Sequence, residues 1–339
     1  MDTTNLFTVI TIIEIILIIL AVIILPRMNK AMVSMILAMG IMVVFITHVI
    51  LDSRILGGEV RFLWSSSGEK FQLPFLWEKL GFSVADVLEG QKLYSFVTAL
   101  FVHANMIHLI ANLLVLLLLG VPLEQKIGAR NFAILFFAAG IGAGLIKLLL
   151  VAPFADLNDS MNPILNPNST GIGASGAIFG VLGAFVALYP KEKVIFPLIL
   201  IRPWPVFIIA LIYGGTETVM VLRGVQDGVG HLTHFNGLIV GVGVALLLKK
   251  MDLIPGKRKW LRSDKTLVSE LEKMTASEPD RKILRKIEKA DLPEIRNAWV
   301  EHFLEKVTCP RCGTGFDKLD NNECDCGYVS LGEWKLKEK

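Results

Sequence analysis

The first 308 residues of this chain contain no cysteine, and the first 250 carry only 30 of its 65 charged side chains. Without cysteine, that stretch is not a disulfide-stapled fold. With so little charge it is neither an ordinary soluble domain nor a disordered one, since both need many more polar side chains. Charge of a single sign is scarce as well: a net +3 over 339 residues leaves no electrostatic footprint for a nucleic-acid partner. Apolar surface is what the chain has in excess, with 53% hydrophobic residues and a mean hydropathy of +0.58. The remaining 35 charged residues fall in the last 89. The chain therefore reads as a lipid-embedded body followed by a polar tail.

Seven windows are long and apolar enough to cross a bilayer core: about Leu6 to Leu25, Ala31 to Leu51, Ala99 to Leu119, Phe132 to Val151, Ile172 to Tyr189, Trp204 to Leu222 and Leu232 to Leu248. The first differs from a signal peptide, being preceded by an acidic residue, running long and lacking a small-residue cleavage site, so it reads as a retained helix. Basic residues gather at alternate ends of successive windows: Arg27 and Lys30, Lys126 and Arg130, Lys191 and Lys193, then Lys249 and Lys250 with Lys257, Arg258 and Lys259. Those ends are expected to be cytoplasmic, which puts the N-terminus outside and the tail inside. The long outer loop, Asp52 to Thr98, carries Leu63, Trp64, Phe71, Phe75, Leu76 and Trp77, which suit the membrane interface. Val194 to Ile201, cut off from the next window by Pro203 and Pro205, reads as a second interfacial loop.

Hydrogen-bonding side chains are costly within lipid and mark sites by default. His108 and Asn112 in the third window, Ser175 in the fifth and His234 in the seventh all fall toward the outer ends of their windows, at one depth. His108 and Asn112 are spaced i, i+4 on one helix face, where they serve either as helix glue or as a pair of donors. Ser175, within Gly171-Ile172-Gly173-Ala174-Ser175-Gly176, is either a packing serine bonded to its own helix or a hydroxyl opened to a neighbour by its flanking glycines, about five residues into its helix. Gly237 and Gly241 follow His234 much as Gly176 and Gly180 follow Ser175. Two such small-residue faces pack closely, which would bring the hydroxyl to the imidazole. Lys147 and His48, near helix ends, read as snorkelling side chains, Glu217 as lining a gate and Glu14 as pairing with another span.

Taken together, these residues resemble the rhomboid intramembrane serine proteases. The likeness rests on Gly173-Ala174-Ser175-Gly176, on His234 with Gly237 and Gly241, and on His108 with Asn112 and upstream His103. Gly120, Glu124 and Gly128 look like the loop that follows in the family, and the likeness runs from about Ala31 to Lys250. It implies a serine endopeptidase that hydrolyses peptide bonds in or near transmembrane helices of other membrane proteins. Ser175 would be the nucleophile and His234 the general base and acid, with His108, Asn112 and the Ser175 N–H stabilising the oxyanion. No carboxylate is expected to orient His234, so a Ser–His dyad is implied, with Phe179 packed on the imidazole and no cofactor for catalysis. Substrate would enter beside the Trp204 to Leu222 helix, with Arg223 to Gly230 as a lid. The sequence departs from the family at Tyr94-Ser95, where Trp-Arg often precedes the Thr matched here by Thr98.

In the tail, Cys309-Pro310-Arg311-Cys312 and Cys324-Asp325-Cys326 are two close thiol pairs eleven residues apart, the form of a zinc ribbon holding one structural Zn, as against four free cysteines. The expected fold class is an all-α polytopic membrane protein. Its parts are an extra N-terminal transmembrane helix (1–30), a rhomboid-like six-helix core (31–250), a charged helical linker (251–306) and a cytoplasmic zinc-ribbon-like domain (307–339). The expected location is the cell membrane. The expected partners are transmembrane substrates and the bilayer, with no nucleic acid and an unknown cytoplasmic partner for the tail. Two competing readings are a non-catalytic rhomboid-like escort of transmembrane helices, expected to lack Ser175 or His234, and a small-molecule transporter, which the absence of an obvious inverted repeat opposes.

Overall fold

The computed structural model describes residues 3–28, 31–55, 78–154, 165–195, 203–225, 229–254, 260–275, 277–289, 293–313, 315 and 326. Outside them lie the interfacial segment from Leu63 to Trp77, most of Val194 to Ile201, part of the expected lid, and Cys324. The chain forms two compact units, Met1–Pro255 and Gly256–Lys339.

The first unit is helical: α1 (Thr3–Ile24), α2 (Val33–Ile55), short α3 (Val84–Leu88) and α4 (Ser95–Thr98), then α5 (Met106–Ile127), α6 (Ala129–Val151), α7 (Ser175–Leu188), α8 (Val206–Arg223) and α9 (His231–Lys250). A two-residue pairing of β1 (Lys193–Val194) with β2 (Trp204–Pro205) leads into α8. Among the described residues five helices, α1, α5, α6, α8 and α9, are long and apolar enough to cross a membrane, as befits a multi-pass membrane protein. The other two expected windows hold shorter apolar helices, Val33–Val49 within α2 and the 14-residue α7.

The third window is displaced from its expected position. Ala99, Leu100, Phe101 and Val102 are buried but not part of the spanning helix, which begins only at Met106. Asn105 stops it there, with extended backbone and a side-chain oxygen that accepts from the His108 N–H at 2.9 Å. At its other end, the expected loop from Gly120 to Gly128 is the last part of α5 itself, ended by Gly128 at φ +84°. Glu124 is buried there and caps a different helix. Its two oxygens accept from the backbone N–H groups of Val33 and Ser34 at 2.7 and 2.8 Å, satisfying the first donors of α2 where water is scarce.

The core gathers around α6 and α7, where Phe132, Phe136 and Phe185 are fully buried with Leu116 and Leu119 of α5. Glycine makes the closest approaches. A Cβ on Gly237 would overlap the Gly176 carbonyl, one on Gly241 the Gly180 carbonyl, and one on Gly183 the Leu238 carbonyl. The backbones of α7 and α9 are therefore in direct contact, as small-residue faces allow in lipid. On the far side, Ile18 of α1 fills the notch that Gly40 leaves on α2, 2.7 Å from where a Cβ would stand.

Among its described residues the second unit has three helices, α10 (Trp260–Lys273), α11 (Glu278–Lys289) and α12 (Pro293–Leu304). Leu271, Ile287, Val300, Phe303 and Leu304 form its core together with Val307 and Cys309. This differs from the linker expected over 251–306: the charges cover a packed helical unit into which the first cysteine is built.

Gly241→Leu should lower the thermal midpoint of the detergent-solubilised protein by several degrees, since overpacking typically costs about 1–3 kcal/mol and here the clash is with backbone. Gly243→Ala, where an added Cβ meets nothing within 4 Å, should leave the midpoint unchanged or slightly raised. Equal midpoints for the two variants would contradict the close interface.

Candidate active site

Ser175 is the first residue of α7, next to the N-cap Ala174, so it starts its helix and does not lie a turn inside it. That helix is short: 14 residues rise roughly 21 Å, against a hydrocarbon core of about 30 Å.

The strand of chain leading to Ser175 is strapped in place. Phe82 and Gly171 exchange both backbone hydrogen bonds, at 2.9 and 2.8 Å, and the Gly173 N–H donates to the Ala99 carbonyl at 2.8 Å. Lys147 of α6 is buried and donates to the Ser169 hydroxyl at 3.0 Å, so it clamps this loop and does not snorkel. His48 is likewise buried and meets the Thr11 hydroxyl of α1 at 2.5 Å. In the preceding loop the Tyr94 hydroxyl donates to the Lys79 carbonyl at 2.9 Å and Thr98 to the Leu80 carbonyl at 2.8 Å. These two side chains supply ties at the place where the sequence has no arginine.

His234, in the first turn of α9, presents Nε2 to the Ser175 hydroxyl at 2.7 Å. Phe179, one turn along α7, stacks on the imidazole with centroids 4.5 Å apart and planes 11° from parallel, which restricts the ring's rotation. The other ring nitrogen, Nδ1, faces the carboxylate that the sequence suggests as lining a gate: Glu217 Oε1 of α8 lies 3.1 Å away, off the line of a straight hydrogen bond. Glu217 Oε2 accepts from His231 Nδ1–H at 2.6 Å. The expectation that no carboxylate stands near His234 therefore fails. Glu217 is 14 residues from His231, on another helix, and no local spacing pattern announces the meeting.

His108 stands beside the nucleophile loop. The Ala104 N–H donates to its Nδ1 at 3.3 Å, which leaves the proton of the neutral ring on Nε2. That Nε2–H lies 2.8 Å from where a Cβ on Gly173 would sit, and Gly173 has φ +106°. Both facts require glycine at that position. His103 packs its ring against His108 with centroids 5.0 Å apart. Burial first, and then its neighbour His108, holds the His103 pKa down to about 3, so His103 adds no charge at neutral pH. Asn112 bonds in part as the helix-glue alternative has it: its amide donates to the His108 carbonyl of its own helix at 2.8 Å, and its Oδ1 is buried without a hydrogen-bond partner. One amide hydrogen is left to give. Glu14 does stand against another span, beside Thr47 of α2.

In the second unit the sulfurs of Cys309, Cys312 and Cys326 lie within 4.8 Å of one another and could hold a metal ion. Cys309 and Cys326 are 3.7 Å apart, too far for a disulfide. That separation fits the edge of a tetrahedron with metal–sulfur bonds of about 2.3 Å, roughly 3.8 Å. Cys324 is outside the described residues.

Residues 90–251 match the sequence profile of the Rhomboid domain. Rhomboid-like protein 11, chloroplastic, of Arabidopsis thaliana is 31% identical over 166 residues, covering 46% of this chain and 53% of the relative. Rhomboid protease AarA of Providencia stuartii is 29% identical over 174 residues (47% and 56%), and Rhomboid-like protease 3 of Toxoplasma gondii 30% identical over 108 residues (32% and 35%). The chain spans about half or less of the length of these curated relatives. The matches support a relationship to the rhomboid family over residues 90–251.

Gly173→Ala should destabilise the fold by at least about 1 kcal/mol, from the strained φ and from the collision with His108. Adding His108→Ala should recover the steric part and leave the backbone part, as read from melting of the single and double variants. Strictly additive losses would mean that the ring and the loop are not in contact.

Proposed function

We propose that this protein is an intramembrane serine endopeptidase of the rhomboid family, cutting transmembrane helices of other membrane proteins. The observation that carries the reading is the 2.7 Å contact between the Ser175 hydroxyl and His234 Nε2, from two helices locked by glycine contact. A non-catalytic escort of helices has no use for that pair.

In this reading Ser175 Oγ attacks the scissile carbonyl carbon while its proton passes to His234 Nε2. The tetrahedral oxyanion is met by His108 Nε2–H, by the remaining amide hydrogen of Asn112 and by the Ser175 N–H, one of the unpaired donors at the start of α7. The imidazolium then protonates the leaving amine, and water, activated in turn by His234, hydrolyses the acyl-enzyme. Because a hydrogen-bonded helix hides its carbonyl carbons, substrates should be spans that unwind at Gly, Pro or polar residues. They would approach beside α8, the sparsely buried helix of the site. The chain would sit in the cell membrane with its N-terminus outside and its tail cytoplasmic, and water would reach Ser175 from outside. No cofactor enters the chemistry. In the tail, zinc held by Cys309, Cys312, Cys326 and Cys324 would close a structural site and tie the segment that follows α12 to the helical core containing Cys309.

Ser175→Ala and His234→Ala should each abolish cleavage of a transmembrane substrate and, for Ser175→Ala, labelling by a serine-directed phosphonate, without loss of the folded state. Cleavage by purified Ser175→Ala would sink the mechanism.

Elemental analysis of the full chain should find one zinc per molecule, lost in Cys309→Ser, while chelation spares proteolysis in detergent. Cleavage that stops on chelation and returns with zinc alone would mean that the tail controls the site.

A further inference from the structure

Glu217 is buried on a helix that otherwise faces outward: among the residues of α8 only Val206, Ile209 and Glu217 are buried. An ionisable carboxylate is costly in such a place, so the groups it touches must account for it. Its two oxygens meet two imidazoles of α9, Oε2 at 2.6 Å from His231 Nδ1 and Oε1 at 3.1 Å from His234 Nδ1. We infer that Glu217 is a positioning residue for His234, completing a Ser175–His234–Glu217 chain, with His231 holding the carboxylate in place. The inference rests on the protease reading above and extends it.

The chemistry of the imidazole supplies the reason. To accept the Ser175 proton, Nε2 must carry a lone pair, so the proton of the neutral ring must be on Nδ1. In a water-poor site that Nδ1–H needs an acceptor, and Glu217 Oε1 is the acceptor within reach. When Ser175 Oγ bonds to the carbonyl carbon, its proton moves to Nε2 and the ring becomes a cation. The carboxylate stays ionised and stabilises that cation, gaining no proton itself. The present off-line approach at 3.1 Å is the loose geometry expected before substrate draws the site together. His231 fixes the second oxygen, so the carboxylate cannot turn freely. Among the described residues, the groups around the ring are Ser175 and Phe179 of α7, Glu217 of α8, His231 of α9 and His108 of α5. Among them Glu217 alone carries a negative charge. A metal ion held by the same three side chains fits less well: ligands about 2.1 Å from one ion stand roughly 3.4 Å apart, whereas Glu217 and His231 are at 2.6 Å, the length of a charge-assisted hydrogen bond.

The position of the carboxylate adds a consequence for substrate access. Glu217 belongs to α8, whereas Ser175 and His234 belong to the glycine-locked pair α7 and α9. Displacement of α8 would remove the orienting group and leave the serine and histidine in contact.

The test uses the full chain in detergent, with kcat, KM and melting measured for four variants against one transmembrane substrate. Glu217→Gln turns an acceptor into an amide that can face Nδ1 with a donor and favour the wrong tautomer. Its kcat should fall roughly 100- to 10,000-fold, with KM within about twofold of the wild type. Glu217→Ala should fall similarly. Glu217→Asp keeps the charge and should retain at least ten times the kcat of Glu217→Gln. His231→Ala breaks the other tie between α8 and α9 yet spares the His234 contact, so it should lose less than about tenfold in kcat. A Glu217→Gln kcat within threefold of wild type would overturn the inference, as would equal kcat for the Asp and Gln variants. A His231→Ala loss as deep as that of Glu217→Gln would also overturn it, by showing that the carboxylate merely fastens two helices. Ser175→Ala, run alongside, separates the two levels: an active Ser175→Ala defeats the protease reading, whereas an inactive Ser175→Ala beside a fully active Glu217→Gln defeats only this one.

Discussion

Everything in the site depends on two helix backbones touching. In lipid there is no hydrophobic effect to press helices together, so close association comes from van der Waals contact and from hydrogen bonds across the interface. The α7–α9 pair obtains the first by removing side chains altogether: Gly237 sits on the Gly176 carbonyl and Gly241 on the Gly180 carbonyl. These contacts fix one register. A slip by one turn would move α9 about 5.4 Å along α7, well beyond the reach of a hydrogen bond between Ser175 and His234. The same glycines that close the interface thus determine whether the hydroxyl and the imidazole meet at all. Ser175 precedes its glycine face and His234 precedes its own, so the polar pair lies at the open end of a dry seam.

That seam was legible in the sequence because its information is local. Small residues four apart behind a serine, and again behind a histidine, specify faces whatever the rest of the chain does. The start of α5 was not legible from hydropathy, since Ala99 to Val102 are as apolar as a span but are buried in a loop by neighbours far away in sequence, and Asn105 is what begins the helix. Glu217 escaped for a related reason. A carboxylate on one helix and two histidines on the next share no spacing rule, and their meeting is decided by how α8 lies against α9. The fates of Lys147 and His48 show the same limit. Position near a helix end suggests escape to the interface, but a partner hydroxyl on an adjoining segment keeps each inside.

The polar groups of the membrane unit follow one economy. Glu124 closes the start of α2, Lys147 clamps the loop before Ser175, and Glu217 joins α8 to α9. Each ties one element to another, which apolar contact in hydrocarbon does only weakly. Removing any one of them would leave buried groups unsatisfied at a cost of about 1–3 kcal/mol or more each, so these side chains act as fasteners whose absence is felt at both ends. The tail unit works by different rules. It has a helical core of its own, and Cys309 belongs to that core and to the thiol cluster at once.

The notch at Gly40 gives the first helix a distinctive standing. α1 is seated on α2 through Ile18, which fills the space a side chain at position 40 would take, and through the Thr11–His48 contact. α2 is held in turn at its own start by Glu124 of α5. α1 is thus seated by Ile18 in its notch, by one polar latch and by the buried Ile15 and Val22, and none of these residues belongs to the glycine contacts between α7 and α9.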